Sequence, residues 1–558
     1  MAAEPAVSAR ARTGLLASVD PARTGRWLLG LSLVGFGLGG LEALALRAQL
    51  ARADATFMAA ATYQQVLTLH GVSMVFLCVL PAAMGMFLLL VPVRLGDGRT
   101  TYPRLSAFGA KLWACGALIL HVGLALGGTS GAGMLGSASL TALAWAPRDR
   151  VHRGFLVFRA NGVDWWATGL ALVALGAACV ALEIVSTVLT RRARDGAPAG
   201  TSPLAWNSLI AGVLGLCAFP ALFVGLVLLQ CDRLLGNELF VPESGADPTL
   251  WPRLTALLGH PQVVLLLLPA MGLATEVIVS SAGRPVHQGA VLRATGLALG
   301  AAGSLAWASQ LTPAGAELTQ SLLPVSGALM ALAAGTAVFH WLATLWGRPV
   351  AARPALSFAL GMAALLMTGA FSMLPLALQP AAARQVGTYF GVAHAHEMLF
   401  GGVVLGLFAG VYEHGARLFG RALDPRLGQL HFALTLVGAI VTFLPMHLLG
   451  LAGMPRRVHT YPAAMGWGSL NAVSTLGAML LALAGLVFAL ALVRARPVAP
   501  WGATVLDAPA LPRTPGPALA AGGLALIAAG TLLGWEVGLA GGGLFVLGAW
   551  RSASDRRS

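Results

Sequence analysis

Apolar runs of about 20 residues recur from one end of the 558-residue chain to the other, and about 20 residues is the length at which a helix crosses the hydrocarbon of a bilayer. That recurrence fixes the fold class before any motif is read. In lipid every backbone N–H and C=O must be satisfied inside the spanning element, which leaves helices or closed barrels. The short apolar-polar alternation of a membrane barrel is absent from the sequence. The chain is therefore expected to be all-α, a polytopic transmembrane helix bundle. The balance of 57% hydrophobic to 10% charged residues suits no soluble domain of this length. The 70 glycines are spread through the apolar runs, where small side chains let helices approach closely.

Twelve core spans are expected, near 26–46, 66–93, 107–128, 166–190, 206–230, 259–281, 290–311, 322–346, 355–377, 387–412, 429–452 and 467–494. Residues 1–25 read as a cytoplasmic tail, 26–495 as the twelve-helix core, and 496–558 as a linker with a C-terminal extension of one or two more spans. Gly-, Ser- and Arg-rich 129–162 reads as a long loop, and so does the polar segment from Cys231 to Pro252. No cleavable signal peptide is expected, because the first apolar run is long enough to span. Five scattered cysteines give neither a disulfide framework nor a metal-ligand spacing.

A net charge of +14 would suggest nucleic acid in a soluble chain. Here the arginines sit between spans, so no nucleic-acid partner is expected; the lipid membrane is. With the N-terminus cytoplasmic, Arg94, Arg99, Arg104, Arg191, Arg192, Arg194, Arg284, Arg293, Arg348, Arg353, Arg417, Arg421 and Arg426 all fall inside, as the positive-inside bias requires. Arg456 and Arg457 break the bias by landing outside, and such a pair asks for an anionic partner.

The chemistry concentrates around His394 and His396, two residues apart in the tenth span. At about 100° per residue they point roughly 200° apart, to opposite flanks of one helix. Imidazole is a common axial ligand of haem iron, and ionisable residues at membrane depth are functional suspects. His70 in the second span is placed to face His396. Two imidazoles, one on each side of a haem, make a six-coordinate low-spin centre. His394 has no evident second axial histidine, which leaves its haem an open face. The plainer reading of all three is polar side chains lining a bundle interior.

Several stretches together carry a family resemblance. They are Leu46-Arg47-Ala48-Gln49-Leu50, His70-Gly71-Val72-Ser73-Met74, Tyr102-Pro103-Arg104-Leu105, Asp232-Arg233 through Asp247-Pro248, and Gly259-His260-Pro261. Later come Trp341-Leu342-Ala343-Thr344-Leu345, Thr388-Tyr389-Phe390 with Val392-Ala393-His394-Ala395-His396, and Pro445-Met446-His447 through Gly453-Met454-Pro455-Arg456-Arg457. Over roughly residues 26–495 the chain resembles subunit I of the haem-copper oxidases, the cytochrome c oxidase core subunit. The resemblance implies two haems, without naming their type. His70 and His396 would ligate the low-spin haem and His394 the high-spin haem. Arg456 and Arg457 would pair with propionates, and Arg47 would lie beside the low-spin haem. It also implies a bacterial cytoplasmic (inner) membrane, other respiratory-complex subunits, and an electron donor that is a redox subunit or cytochrome c.

The departures fall in one half of the chemistry. The family holds a copper ion with three histidines. Here His260 stands as the one residual copper-type ligand, the crosslinking tyrosine is Val264, and the double histidine after Trp307-Ala308 is Ser309-Gln310. A serine hydroxyl and a glutamine amide are poor copper ligands. Proton-path residues change as well. The span-six glutamate is Gln262, the lysine before Phe339 is Ala337, the aspartate before Pro103 is Arg99 (with Asp97 near), the asparagine before Pro92 is Leu88, and the His-Asp pair before Thr388 is Val386-Gly387. His340 and Glu397 are the candidates for rebuilding the pocket; His121, His414, His431 and His459 are expected in loops or interfaces. Three functions stay open: an electron-transfer haem protein, a divergent terminal oxidase or small-gas (O2 or NO) reductase, and a regulatory or assembly subunit with vestigial sites.

Overall fold

The computed structural model describes residues 20–554 apart from 97, 127, 132, 136–161, 192–201, 236–238, 241–244, 248, 260, 312–316, 379–384, 386, 499–514 and 534. Twelve helices among the described residues are long and apolar enough to cross a membrane. They are α1 (Pro21–Leu50), α2 (Ala60–Arg94), α3 (Pro103–Leu126), α4 (Gly162–Thr190), α5 (Pro203–Leu235), α6 (Pro261–Ala282), α7 (Gly289–Leu311), α8 (Glu317–Leu345), α9 (Pro354–Leu378), α10 (Tyr389–Phe419), α11 (Pro425–Leu451) and α12 (Gly468–Val493). Each meets one expected span. Two further helices, α13 (Gly516–Leu533) and α14 (Trp535–Ser554), follow.

Helix ends differ from the expected ones where caps act. α1 starts at Pro21, because Asp20 accepts the Ala22 N–H at 3.0 Å and a proline occupies the first turn. Asp424 and Pro425 open α11 in the same way. α10 runs on to Phe419 and stops at Gly420, whose φ of +68° is the left-handed C-terminal stop. The chain then pairs Arg421–Ala422 (β1) antiparallel with Arg496–Pro497 (β2). Asp232 and Arg233 were expected in a loop but lie on α5. Their helix is drawn out by an ion pair, Arg233 Nε to Asp164 Oδ1 at 2.7 Å, which is buried on both sides.

α2 is enclosed by the bundle, whereas α1 and α12 turn most of their surface outward. α2 packs on α1, α4, α5, α6 and α10, and α10 packs on α6, α9 and α11 as well. Both inner helices change pitch. α2 is π-helical over Ser73–Val79 and α10 over Glu397–Val404. A π turn shifts carbonyls off the regular ladder. In α2 the neighbours answer: Trp113 Nε1 donates to Phe76 O at 2.7 Å and Ser32 Oγ to Cys78 O at 2.7 Å. The C-terminal pair α13–α14 is a glycine-seamed hairpin, with Gly516, Gly523 and Gly530 against Gly548, Gly541 and Gly538. Leu112 and Leu172 meet its Ala521 and Ala525.

Candidate functional site

The start of α10 carries both central histidines, and a side-chain cap and a two-bond backbone bridge fix it. Thr388 caps the helix, accepting the Phe390 N–H at 3.2 Å. Thr388 and Pro455 form an isolated antiparallel bridge. Tyr389 N–H donates to Met454 O at 2.9 Å, and Arg456 N–H to Gly387 O at 3.0 Å. Gly450 on α11 lets the chains meet, since a methyl there would overlap the Phe390 backbone nitrogen. Gly450→Ala is therefore expected to push α10 off α11, at the roughly 1–3 kcal/mol typical of overpacking. Thermal unfolding in detergent, read beside haem content, checks this: both should fall, whereas Gly453→Ala serves as a comparison where strain comes from φ +84° without a facing neighbour.

His70 on α2 and His396 on α10 face each other. Their ring centroids are 6.4 Å apart and their planes differ by 12°. Two metal–imidazole bonds of about 2 Å each plus the two ring radii add up to roughly 6 Å. The Nδ1 atoms are engaged elsewhere: His70 Nδ1 with Gly39 O at 2.9 Å, His396 Nδ1 with Val392 O at 2.7 Å. A carbonyl on Nδ1 fixes the tautomer and leaves Nε2 as the ligating nitrogen, which is how metal-bound histidines are oriented. The His396 ring also packs on Phe443, centroids 4.9 Å apart. His394 turns to a different helix: its Nδ1 lies 2.9 Å from Ser372 Oγ on α9. His394 and His396 are both within the α-helical stretch Tyr389–His396, before the π turn begins.

Arg47 lies on α1, which packs on α2, and Arg456 and Arg457 follow α11, against the start of α10 and against α2. Arg47 on α1 is 6% exposed and spends only one nitrogen on protein: Nη2 reaches Asn471 O at 2.8 Å, Asn471 Oδ1 at 3.0 Å and Thr475 Oγ1 at 3.2 Å. Its Nε and Nη1 are buried without partners, an arrangement that costs free energy unless a further acceptor is supplied. Arg457 bonds Gly131 O and Gln64 Oε1, while Arg456 is exposed beside it. Burial first, and then the neighbouring Arg456 charge, hold the Arg457 guanidinium below its usual pKa. An anion against this pair would relieve both. Paired imidazoles at the spacing of two iron bonds, a buried guanidinium with open donors, and a cationic pair nearby all fit a haem.

A family model described as cytochrome c and quinol oxidase polypeptide I matches residues 23–480. The chain belongs to this family. It is 32% identical to cytochrome c oxidase subunit 1 of Bacillus subtilis strain 168, over 80% of this chain and 70% of that one. It is 34% identical to a probable cytochrome c oxidase subunit 1-beta of Nocardia farcinica (85% and 78% covered). Quinol oxidase subunit 1 of the same Bacillus strain is 28% identical (85% and 71%). A solved haem-copper terminal oxidase dimer superimposes with a TM-score of 0.68 at 17% identity, covering 91% of each chain, and so shares the fold. The protein is thus an integral membrane subunit I of the haem-copper oxidase family, and haem is the cofactor that its family implies.

Val264 and Ser309, the residues set against copper in the sequence, lie on α6 and α7. Val264 is 1% exposed and packs on Gly303 of α7. Ser309 is buried, its Oγ donating to Ala306 O at 2.8 Å. Gln262 is buried with Oε1 unpartnered. His260 and Asp97 lie outside the described residues, as does the Gln310 side chain. Among the described residues no group of three or more His, Cys, Asp or Glu side chains converges on a metal-sized space. A valine side chain and a serine bonded to its own helix do not fit copper.

The two residues considered for rebuilding that pocket are engaged elsewhere. His340 sits near the end of α8 with Nδ1 2.9 Å from Nδ1 of His287, in the α6–α7 connection at the arginine-bearing face. Position along the helix, not helix phase, takes it away. Glu397 faces α11, where its Oε2 is 3.6 Å from His447 Nε2. Two other expectations are corrected. His431 is a core residue, 1% exposed, packed among Phe358, Phe408 and Phe488. His121 lies inside the bundle on α3. His414 contacts Glu276 of α6 at 3.4 Å, and His459 packs by Tyr63.

Proposed function

We propose that the chain is a haem-bearing electron-transfer subunit of a respiratory membrane complex, with a low-spin haem between His70 and His396, a second high-spin haem on His394, and a degenerate copper site. The single observation that carries it is the parallel His70–His396 pair at 6.4 Å with both Nδ1 atoms tied to carbonyls. A haem bound there supplies reversible one-electron chemistry at its iron. The chain's own residues do the rest. Gly39 and Val392 orient the ligand rings, Arg47 offers its open Nε and Nη1 donors, and Arg456 with Arg457 offers charge to carboxylates. Gln262 stands where an ionisable group would carry a proton and cannot do so. Electrons come from a partner subunit or cytochrome c, because no C-x-x-C-H motif occurs in the sequence. The proposed setting is a bacterial cytoplasmic membrane with the N-terminus inside, as the arginine-bearing loops favour.

A second reading, a small-gas reductase, is favoured by His394, whose ring is held by Ser372. Iron and copper per chain, with reduced spectra taken with and without carbon monoxide, test both. Two irons, copper well below one, and a carbon monoxide shift at the open haem of His394 are expected, with no turnover of O2 or NO if the chain is an electron carrier. Turnover of either gas without copper would favour the gas reductase, and two irons without a shift would refute the open haem on His394. Stoichiometric copper bound to this chain would refute the degenerate site and restore the oxidase.

A further inference from the structure

Three polar side chains from three helices meet inside the bundle beside the His70 contact. Ser73 Oγ on α2 donates to Glu42 Oε1 on α1 at 3.2 Å and lies 3.4 Å from His121 Nε2 on α3. His121 Nε2 and Glu42 Oε1 are 3.7 Å apart. His121 Nδ1 is occupied by Ala117 O at 2.9 Å, and Glu42 Oε2 is buried with no partner. With Nδ1–H donated to a carbonyl, a further proton has two places to go, Nε2 or the carboxylate. Intramembrane groups of this kind are expensive to keep, and no described packing need explains three of them in one place.

The position matters more than the composition. Gly39, whose carbonyl holds His70 Nδ1, precedes Glu42 by three residues on α1, and His70 precedes Ser73 by three on α2. The cluster and the ligand thus share one helix–helix contact, about one turn apart. Charges at that range in a low-dielectric bundle interact strongly. We propose that Glu42, Ser73 and His121 form a proton-binding site coupled to the electron on the low-spin haem. The proposal rests on the haem reading of His70 and His396.

Arg23, Arg26, Arg94 and Arg104 lie at the ends of these helices, and the ionisable groups nearer the cluster along each element are engaged elsewhere. On α1, Arg47 bonds Asn471 and Thr475. On α2, the Tyr63 ring packs on His459, and Cys78 sits in the π turn held by Ser32. On α3, Lys111 donates to Ala107 O, and Cys115 faces the α13 side. On α4, behind α3, Asp164 is paired with Arg233 and Glu183 accepts the Tyr102 N–H. α12, also packed on α1, has no ionisable side chain between Gly468 and Val493. Glu42 and His121 are the pair left to titrate against the haem.

Adding an electron adds negative charge, which favours the protonated cluster. The low-spin midpoint potential is then expected to fall as pH rises, by at most the tenfold-per-unit limit, about 59 mV for a one-electron couple. The experiment is a spectroelectrochemical titration of the purified holo-complex across about pH 5–9, with redox difference infrared spectra. The wild type should slope, and Glu42→Gln and His121→Gln should each flatten the slope while keeping the bis-histidine spectrum. A carboxyl band in the wild-type infrared difference should vanish in Glu42→Gln. A wild-type potential independent of pH would overturn the proposal and leave the haem reading intact, as would equal slopes in all three proteins. A wild type with no bis-histidine spectrum would overturn both. If Glu42→Gln does not assemble, His121→Gln and the wild-type infrared band decide alone.

Discussion

His396→Leu is expected to eliminate the low-spin haem and with it about half of the iron, while His394→Leu leaves that haem in place. The two positions are two residues apart, yet the geometry gives them separate fates. His396 pairs with His70 across to α2, and His394 is held by Ser372 of α9. Reduced-minus-oxidised spectra of the two variants check the split. The His396 variant should lack the bis-histidine signature and any carbon monoxide response should survive. The His394 variant should show the reverse. His70→Met is the finer control. It keeps a sixth ligand, so low-spin haem should persist with a raised potential, since a thioether in place of one imidazole favours the ferrous state. If His394→Leu instead removes the low-spin spectrum, the opposite-flank assignment is wrong.

The twelve helices were legible because an apolar run is a one-dimensional property: length against bilayer thickness decides it. The opposite flanks of His394 and His396 were legible for a related reason. Helix phase needs only a regular α turn, and Tyr389–His396 has one. The π stretches were not legible. No residue type encodes them, and in α2 they depend on Trp113 and Ser32 reaching carbonyls from other helices. His340 shows the limit of reading depth from sequence: its helix was found, but its pairing with His287 depends on where the α6–α7 connection folds. Glu42 and His121 were each a lone polar residue in an apolar run, 79 positions apart. Only the packing of α1 against α3 brings them together.

The largest stability effect is expected off the helices that carry the proposed haem ligands, at the α4–α5 ion pair. Arg233 and Asp164 are 2% and 1% exposed in their side chains, with Nε–Oδ1 at 2.7 Å and Nη2–Oδ2 at 3.4 Å. Gln230, one turn before Arg233, donates to the Asp164 carbonyl at 2.8 Å and to Thr168 Oγ1 at 2.9 Å, so the contact is rigid as well as charged. Removing one partner takes a close counter-charge from a buried group, which costs up to about 3–5 kcal/mol. Arg233→Leu and Asp164→Leu should each lose about that much. The double Leu variant should recover most of it, because exchanging a whole buried pair for apolar packing is often neutral or stabilising. Chemical or thermal unfolding in detergent measures the three variants, and the double-mutant cycle isolates the pair from its neighbours. The bis-histidine spectrum is the internal control. α4 and α5 carry none of the proposed haem ligands, so the spectrum of the folded fraction should not change. A double variant as unstable as the singles would mean that the carboxylate and guanidinium are held by more than each other.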